Sequence, residues 1–431
     1  MPVVIGIAPT EWRGPLWASV AKVLSGTIAA QIINFAVAPI VSRIYTPEQF
    51  GDFATVGAIS ALVITIGSLK YELAIPIAES EEDAAGLTRL CMYIGACVAC
   101  FCAAVIYVAV YTLTIDLQNV GAGVASGFVG MLTMLGVAIQ TAELRYVRAN
   151  AYKALAWATV VQVIVQAVMQ ITLSSIISGP NGLLVGQVAG QTAALAWFLG
   201  WRKSCSAAAT SGSTSEYKTL RMLAGKYARF PRYNFGAGLL NSAALQTPQL
   251  VVSAFFSPAV AGQFNLANRM IRLPVALVGK AVGSVYMGAL STRQYRSKNG
   301  KQIFVYFSGV LLAISFFAAA VLLFWGPDLF AGFFGPQWKM AGQIAAIMTP
   351  ALMIILVASP LSQTLTIYGR QKTLLYWELW RFGVSTPILV VSGLLLGDIL
   401  HLMWVLSAVS LVVYGVLVYL SYQAHTDGLY E

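Results

Sequence analysis

The sequence predicts an all-α integral membrane protein. It predicts twelve transmembrane helices in two parallel six-helix bundles, related by a pseudo-two-fold axis along the membrane normal. Three observations lead there. Apolar residues make up 58% of the chain and charged residues only 10%. A soluble domain carries roughly a quarter charged residues, so lipid must be the solvent for most of this surface. Twelve runs are long and apolar enough to cross a bilayer of about 20 residues' span. Lastly, a phrase occurs twice at the ends of hydrophobic runs, at 41–53 and, 211 residues later, at 252–264. Val, Ser, Pro, Gly and Phe recur in register, and Tyr45/Phe256 and Thr46/Ser257 are conservative matches. Internal duplication flanked by spans is the pattern of membrane proteins built from two repeats.

The first six runs are 18–42, 51–69, 90–113, 121–142, 154–177 and 182–201. Met1 to Gly14 lacks the basic start of a cleavable signal peptide, so the first run is expected to be retained. After the second run, Glu79, Glu81, Glu82 and Asp83 form an acidic cluster, and Ser80-x-x-Asp83 has the spacing of a capping box, the start of a short helix. The loop 202–232 combines a Ser/Ala/Thr/Gly linker with a basic stretch ending Arg229-Phe230-Pro231-Arg232. It sets the expected division: an N-terminal bundle at 1–201, a linker at 202–232 and a C-terminal bundle at 233–431. The remaining runs are 234–256, 265–291, 303–325, 342–366, 374–396 and 399–421. The eighth has an alternative form, a short interfacial helix around Arg269 and Arg272 followed by a span from Leu273. Six spans per half is an even number, so the seventh runs in the direction of the first and the repeat is parallel.

Lys and Arg set the orientation. With the N-terminus inside, the outer segments hold only Arg43, Arg269, Arg272 and Lys339, while Lys280 and Arg381 fall within spans. Every other Lys and Arg of the 26 lies on the inner side. Both termini are therefore expected in the cytoplasm. The net charge of +10 is a topology signal spread over many loops, not a nucleic-acid-binding patch. The outer loops are short, the longest near 326–341, which leaves no room for an extramembrane catalytic domain. No enzyme, cofactor or metal site is expected.

The chemistry-bearing residues are few. Cys91, Cys97, Cys100 and Cys102 share one apolar run and read as small packing residues. Neither His401 nor His425 has a metal-ligand partner nearby in sequence. An ionised group at membrane depth costs about 2.5–3.5 kcal/mol on insertion scales, so it faces protein or water and marks a pathway. Lys280 is the clearest such group, with a snorkelling or packed lysine as its alternative. Arg269 and Arg272 are three apart, on one helix face, and guanidinium forks suit phosphate. Arg43, at the outer end of the first run, could join them. These four are the substrate-binding candidates. Glu378 and Arg381, three apart and flanked by Trp377 and Trp380, form either a structural ion pair or an ion-coupling site. Gln162, Gln166 and Gln170 make one polar stripe, for interhelical hydrogen bonds or a hydrated cavity. Within spans, Pro248, Pro274, Pro350, Pro360 and Pro387 lie in the second half and only Pro39 in the first, so the second bundle should hold the more bent helices.

Several segments resemble the Wzx-type polysaccharide (O-antigen) flippases of the multidrug/oligosaccharidyl-lipid/polysaccharide exporter superfamily. They are Lys226 to Phe235, Ala267 to Pro274, Tyr45 to Gly51 and Tyr71 to Ile75. The resemblance implies a two-bundle fold with a central cationic cavity. It also implies passage of undecaprenyl-pyrophosphate-linked oligosaccharides from the cytoplasmic to the periplasmic leaflet of a bacterial inner membrane, for surface polysaccharide synthesis. Expected partners are the lipid-linked anionic glycan, membrane lipids and a polysaccharide polymerase or other assembly proteins. The alternatives are a multidrug exporter of the same superfamily, a peptidoglycan-precursor flippase, and a non-transporting subunit of an assembly complex. No Asp or Glu lies between Gly14 and Pro47 and the intramembrane charges of the second half are mainly basic, which favours an anionic cargo over cationic drugs.

Overall fold

The computed structural model describes residues 13–112, 122–177, 179–206, 220–291 and 293–427, and among these residues every regular element is helical. The first half holds α1 (Arg13–Ile44), α2 (Pro47–Gly67), a 3-10 turn (Tyr71–Ile77), α3 (Glu81–Thr112), α4 (Ala122–Arg148), α5 (Tyr152–Leu173) and α6 (Asn181–Ser206). Then come the short α7 (Leu220–Lys226), α8 (Arg229–Phe255), α9 (Pro258–Ser291) and α10 (Arg293–Phe334). A 3-10 turn (Pro336–Trp338), α11 (Lys339–Ile347), α12 (Thr349–Leu361), α13 (Gln363–Ile367), α14 (Gln371–Leu395) and α15 (Ile399–Asp427) complete the chain. Each apolar run is centred on these helices. Eight described stretches are long and apolar enough to cross a membrane. Helices α1, α8, α9 and α14 are not among them, and the last three carry Asn241, Arg269, Arg272, Glu378 and Arg381, which lower their apolar content.

Three expectations change. The eighth run has no break at Leu273: α9 is one continuous helix with Pro274 inside it. The tenth run is broken, into α11, α12 and α13. Pro350 sits in the first turn of α12, where its missing N–H costs nothing, and Pro360 falls in the last turn. The acidic cluster also starts a longer element than expected. Ser80 Oγ accepts from Asp83 N at 3.0 Å, and the helix so capped, α3, has 32 residues.

By contact the described residues form two compact units, one from 13–37, 63–112 and 122–235, the other from 38–62 and 236–427. In the first, α5 packs along α6, α3 along α4, and α7 on α3. The glutamine stripe of α5 lies in the α5–α6 seam. A Cβ at Gly186 would meet Gln170 Cγ at 2.4 Å, and one at Gly190 would meet Gln162 O at 2.6 Å. Gln170 Nε2 donates to Leu183 O at 3.1 Å. Interhelical hydrogen bonding across a close glycine seam therefore accounts for Gln170. On α3, Cys91 is buried, while Cys97 and Cys100 are exposed free thiols one turn apart, so of these three only Cys91 packs inside the protein.

The start of α3 is clasped from two sides. Arg148 Nε donates to Glu81 at 2.6 Å and its Nη1 to Ala78 O at 2.6 Å. Lys226 Nζ reaches Glu79 and Asp83, each at 2.7 Å, and Tyr227 Oη donates to Asp83 at 3.3 Å. The hydrogen bonds to Asp83 and then Glu79 hold the Lys226 ammonium above the usual lysine pKa. Beneath the clasp, Leu223 and Tyr227 join Ala84, Leu87, Cys91 and Ile75 in one apolar cluster. Leu223 presses on Gly86, where a Cβ would stand 2.3 Å from Leu223 Cδ1. The turn Tyr71–Ile77 is entered through Leu69 and Lys70, both at positive φ (48° and 65°). That is an uncommon conformation for residues with a Cβ. Buried Glu72 bonds the Ser68 hydroxyl and pairs with Lys70 at 3.6 Å.

In the second unit the two copies of the repeated phrase make the same corner twice. Tyr45 N donates to Val41 O, and Phe256 N to Val252 O, both at 3.0 Å. Thr46 and Ser257 precede Pro47 and Pro258, the first residues of α2 and α9. Their hydroxyls accept from Gln49 N at 3.5 Å and Val260 N at 3.4 Å, and Gln49 Oε1 accepts from Thr46 N at 3.1 Å. This is N-cap chemistry followed by proline, repeated. The corners also pack on one another. A Cβ at Gly51 would lie 1.9 Å from Pro258 O, and one at Gly262 would lie 1.9 Å from Pro47 O. Only glycine permits that approach. This packing is why 38–62 groups with the second unit.

Candidate functional site

The intramembrane charges of the second unit lie on α9 and α14. Helix α9 buries Phe264, Ala267, Met270 and Ile271, leaving Arg269 half-buried and Arg272 exposed. Arg272 Nε donates to Asn268 Oδ1 at 3.0 Å, one turn back on the same face. Lys280 stands eleven residues after Arg269 in the same helix, about 16 Å along the axis and in nearly the same angular sector. The side chain of Lys280 lies outside the described residues.

Arg381 is the most constrained cation. It is only 6% exposed. Its Nη2 donates to Glu378 Oε2 at 2.5 Å and to Asn241 Oδ1 at 2.8 Å, and its Nη1 to Tyr414 Oη at 3.1 Å. The guanidinium carbon lies 5.0 Å from the centroid of the Trp377 ring. Trp377 is itself fixed, with Nε1 donating to Val413 O at 2.9 Å and its ring edge-on to Tyr414 at 5.6 Å. One guanidinium thus ties α8, α14 and α15 together. Its third nitrogen, Nε, is buried and has no hydrogen-bond partner among the described residues. Arg272 is within electrostatic reach of both Arg381 and Tyr414.

Arg272 thus lies within electrostatic reach of Arg381, with Arg269 one turn away on α9. Arg43 is engaged elsewhere. Its Nη2 donates to Gly332 O at 2.8 Å, in the last turn of α10, where unpaired carbonyls and the helix dipole favour a cation. Around it, Ser42 O accepts from Trp338 Nε1 at 2.8 Å and Gln337 Nε2 at 3.2 Å. Sequence reasoning placed neither Asn241 nor Tyr414 beside Arg381. Neither is near Arg381 in sequence. The available signal was the need of any membrane-embedded guanidinium for more acceptors than one carboxylate offers.

A second polar node lies among α9, α10, α13 and α15. His425 is buried, with Nδ1 2.8 Å from Tyr368 Oη and Nε2 3.3 Å from Tyr286 Oη. Tyr286 Oη also lies 2.6 Å from Thr364 Oγ1. A Cβ at Gly300 would meet His425 Nδ1 at 2.8 Å. Both imidazole nitrogens are occupied, so this node is a structural tie.

Residues 40–343 match the family model described as "Polysaccharide biosynthesis protein". The chain belongs to that family. The succinoglycan biosynthesis transport protein ExoT of Rhizobium meliloti (strain 1021) is 24% identical over 419 residues, covering 96% of this chain and 81% of ExoT. The teichuronic acid biosynthesis protein TuaB of Bacillus subtilis (strain 168) is 21% identical over 186 residues, 42% of this chain and 38% of TuaB. Among solved structures, the lipid II flippase MurJ in an inward closed conformation superposes with a TM-score of 0.72 at 12% identity, over 94% of this chain and 89% of MurJ. An inward-facing multidrug resistance MATE family transporter of the MOP superfamily gives 0.63 at 14% identity, over 99% and 97%. At such identities the structures establish the fold. Together with the apolar helices, they make this polysaccharide biosynthesis protein a multi-pass membrane protein. The resemblance read from the Arg-Phe-Pro and Arg-x-x-Arg-x-Pro segments holds at the level of the family.

Proposed function

We propose that this protein is a flippase. It moves undecaprenyl-pyrophosphate-linked oligosaccharide repeat units from the cytoplasmic to the periplasmic leaflet of a bacterial inner membrane, by alternating access. The observation that carries the reading is membership of a polysaccharide biosynthesis family by a chain whose membrane-embedded charge is mainly cationic, centred on Arg381 and Arg272. A relative matched over most of the chain is a transport protein of succinoglycan biosynthesis. A lipid-linked pyrophosphate is anionic and its glycan strongly hydrated, so neither enters hydrocarbon without losing hydration worth several kcal/mol per polar group. Fixed cations along a hydrated path lower that barrier while the isoprenoid tail stays in lipid.

In this reading twelve spans form two parallel six-span halves, with both termini cytoplasmic, and the duplicated corner is the trace of the duplication. Arg269, Arg272 and Lys280 form a cationic stripe along α9 that receives the pyrophosphate. Arg43 is the outlying member, because its guanidinium is committed to Gly332, and the proposal rests on the other three. Arg269→Ala, Arg272→Ala and Lys280→Ala, each with normal membrane insertion, should reduce surface glycan and accumulate lipid-linked repeat units on the inner leaflet. Normal surface glycan in all three would remove this site. The MATE fold match leaves drug export as the second reading. Efflux of cationic drugs by reconstituted protein, with no effect of lipid-linked glycan, would favour it.

A further inference from the structure

Arg381 offers one edge, Nε–H beside a Nη2–H, that fits two oxygens of one oxyanion side by side. In this structure the edge is half used. Glu378 takes Nη2 through a single oxygen, and Nε is buried with no partner. An isolated donor buried in a membrane protein costs about as much as a lost hydrogen bond, and more beside a charge. A carboxylate that satisfies only one of two parallel donors is a poor permanent occupant. Arg272, exposed on α9, lies within electrostatic reach of the same guanidinium. Glu378 is partly accessible, at 20% of its side chain.

We propose that Glu378 is an internal counter-anion that a phosphate oxyanion of the cargo replaces. This rests on the transport reading above and assigns its phosphate site and its coupling. The incoming phosphate takes both Nε and Nη2 of Arg381, with Arg272 balancing its charge. Asn241 and Tyr414 hold the guanidinium plane in place throughout. The displaced Glu378 carboxylate, now without its cation in a low-dielectric site, takes one proton from water. When the cargo leaves, Glu378 gives the proton back and re-forms the pair. No other bond changes. Among the described residues, the charged group facing Glu378 is Arg381 on its own helix, and Tyr414 on α15 and Arg272 on α9 act on that guanidinium. Helix α8 contributes the neutral Asn241. Binding is therefore linked to uptake of one proton.

The test uses the full chain in lipid nanodiscs and a short isoprenyl pyrophosphate-linked sugar, whose phosphates stay ionised across the range. Affinity of the unaltered protein should fall from about pH 6 to about pH 8, by at most about tenfold per unit for one linked proton. Glu378→Gln should bind more tightly and without that slope, because the competing anion is gone. Arg381→Lys should lose affinity at every pH, since an ammonium has no two-donor edge. An unchanged slope in Glu378→Gln overturns the exchange while leaving transport intact. If Arg381→Lys does not reach the membrane, the Glu378→Gln profile alone decides. Inorganic pyrophosphate should compete for the site. Equal competition by a phosphatidylglycerol headgroup would assign the site to bilayer lipid and overturn the cargo assignment. No binding at any pH, together with no flipping of the complete lipid-linked glycan, removes the transport reading and this inference with it.

Discussion

Glycines 51 and 262 show how a single missing Cβ sets the approach of two elements. Each lies against the carbonyl of the proline that opens the opposite corner. A methyl group there has no flexible side chain to displace, only backbone. Gly51→Ala and Gly262→Ala should each destabilise the protein by about 1–3 kcal/mol or more, the range for overpacking. Gly57→Ala, with no atom within 4 Å of where its Cβ would stand, should be near neutral by thermal unfolding. Equal melting of all three variants would refute the close contact. The sequence revealed the duplicated corner, but not that its copies touch, because pattern identity carries no distance. Arg381 has the same character. Its pairing with Glu378 was readable from a three-residue spacing, whereas Asn241 lies on another helix and Tyr414 on a third. Removing the cation alone, in Arg381→Met, leaves a half-buried carboxylate unpaired and should cost about 3–5 kcal/mol. The double change Arg381→Met with Glu378→Leu should recover most of it. Additive losses in that cycle would mean the two residues are not coupled.

Among elements, α7 depends most on contacts invisible in sequence. It is seven residues long, too short to be stable alone in water. Its stability comes from Leu223 and Tyr227 in the α3 cluster and from Lys226 on the acidic residues at 79–83. The acidic cluster could be recognised as a helix start, and Ser80 does cap α3. That Asp83 would be buried under a lysine from the linker was not legible, since the residues lie 143 apart. Native Cys91 reports on this clasp, because it lies in the cluster that α7 covers. With the other cysteines replaced by serine, Leu223→Asp and Lys226→Glu should each speed thiol labelling at Cys91, and adding Asp83→Lys to Lys226→Glu should restore slow labelling. Labelling unaffected by Leu223→Asp would show that α7 does not cover it. Because the Lys226 pKa is raised, its charged form contributes fully below the ordinary lysine value and is lost only as pH rises through the higher one. The ratio of Cys91 labelling in the Lys226→Glu protein to that in the unaltered protein should therefore hold steady between about pH 6 and about pH 9, the common rise of thiolate with pH cancelling. The tenth run, expected as one span, is interrupted at Met348 and Ser362, next to Pro350 and Pro360, whereas α9 passes through Pro274 without a break. Proline marks where a helix can bend, and packing decides whether it ends.

For the whole molecule, composition was enough for an all-helical membrane protein, since a chain with so few charges cannot cover a soluble surface. The helices α8, α9 and α14 fall below the hydropathy of the eight most apolar stretches, and they supply Asn241, Arg272 and Arg381. A site inside a membrane protein thus weakens the signal that reveals its own helices. The proposed site serves one proposed activity, the movement of an anionic lipid-linked glycan between leaflets. Reconstituting the full chain into vesicles that carry an undecaprenyl-pyrophosphate-linked oligosaccharide measures it without intermediaries. A membrane-impermeant sugar-modifying enzyme outside then scores how much glycan becomes accessible over time. Accessibility should rise from the initial outer-leaflet fraction towards completion with the unaltered protein, and Arg272→Ala should slow this severalfold or more. Accessibility that stays at the outer-leaflet fraction, or an Arg272→Ala protein as fast as the unaltered one, would contradict the flippase reading.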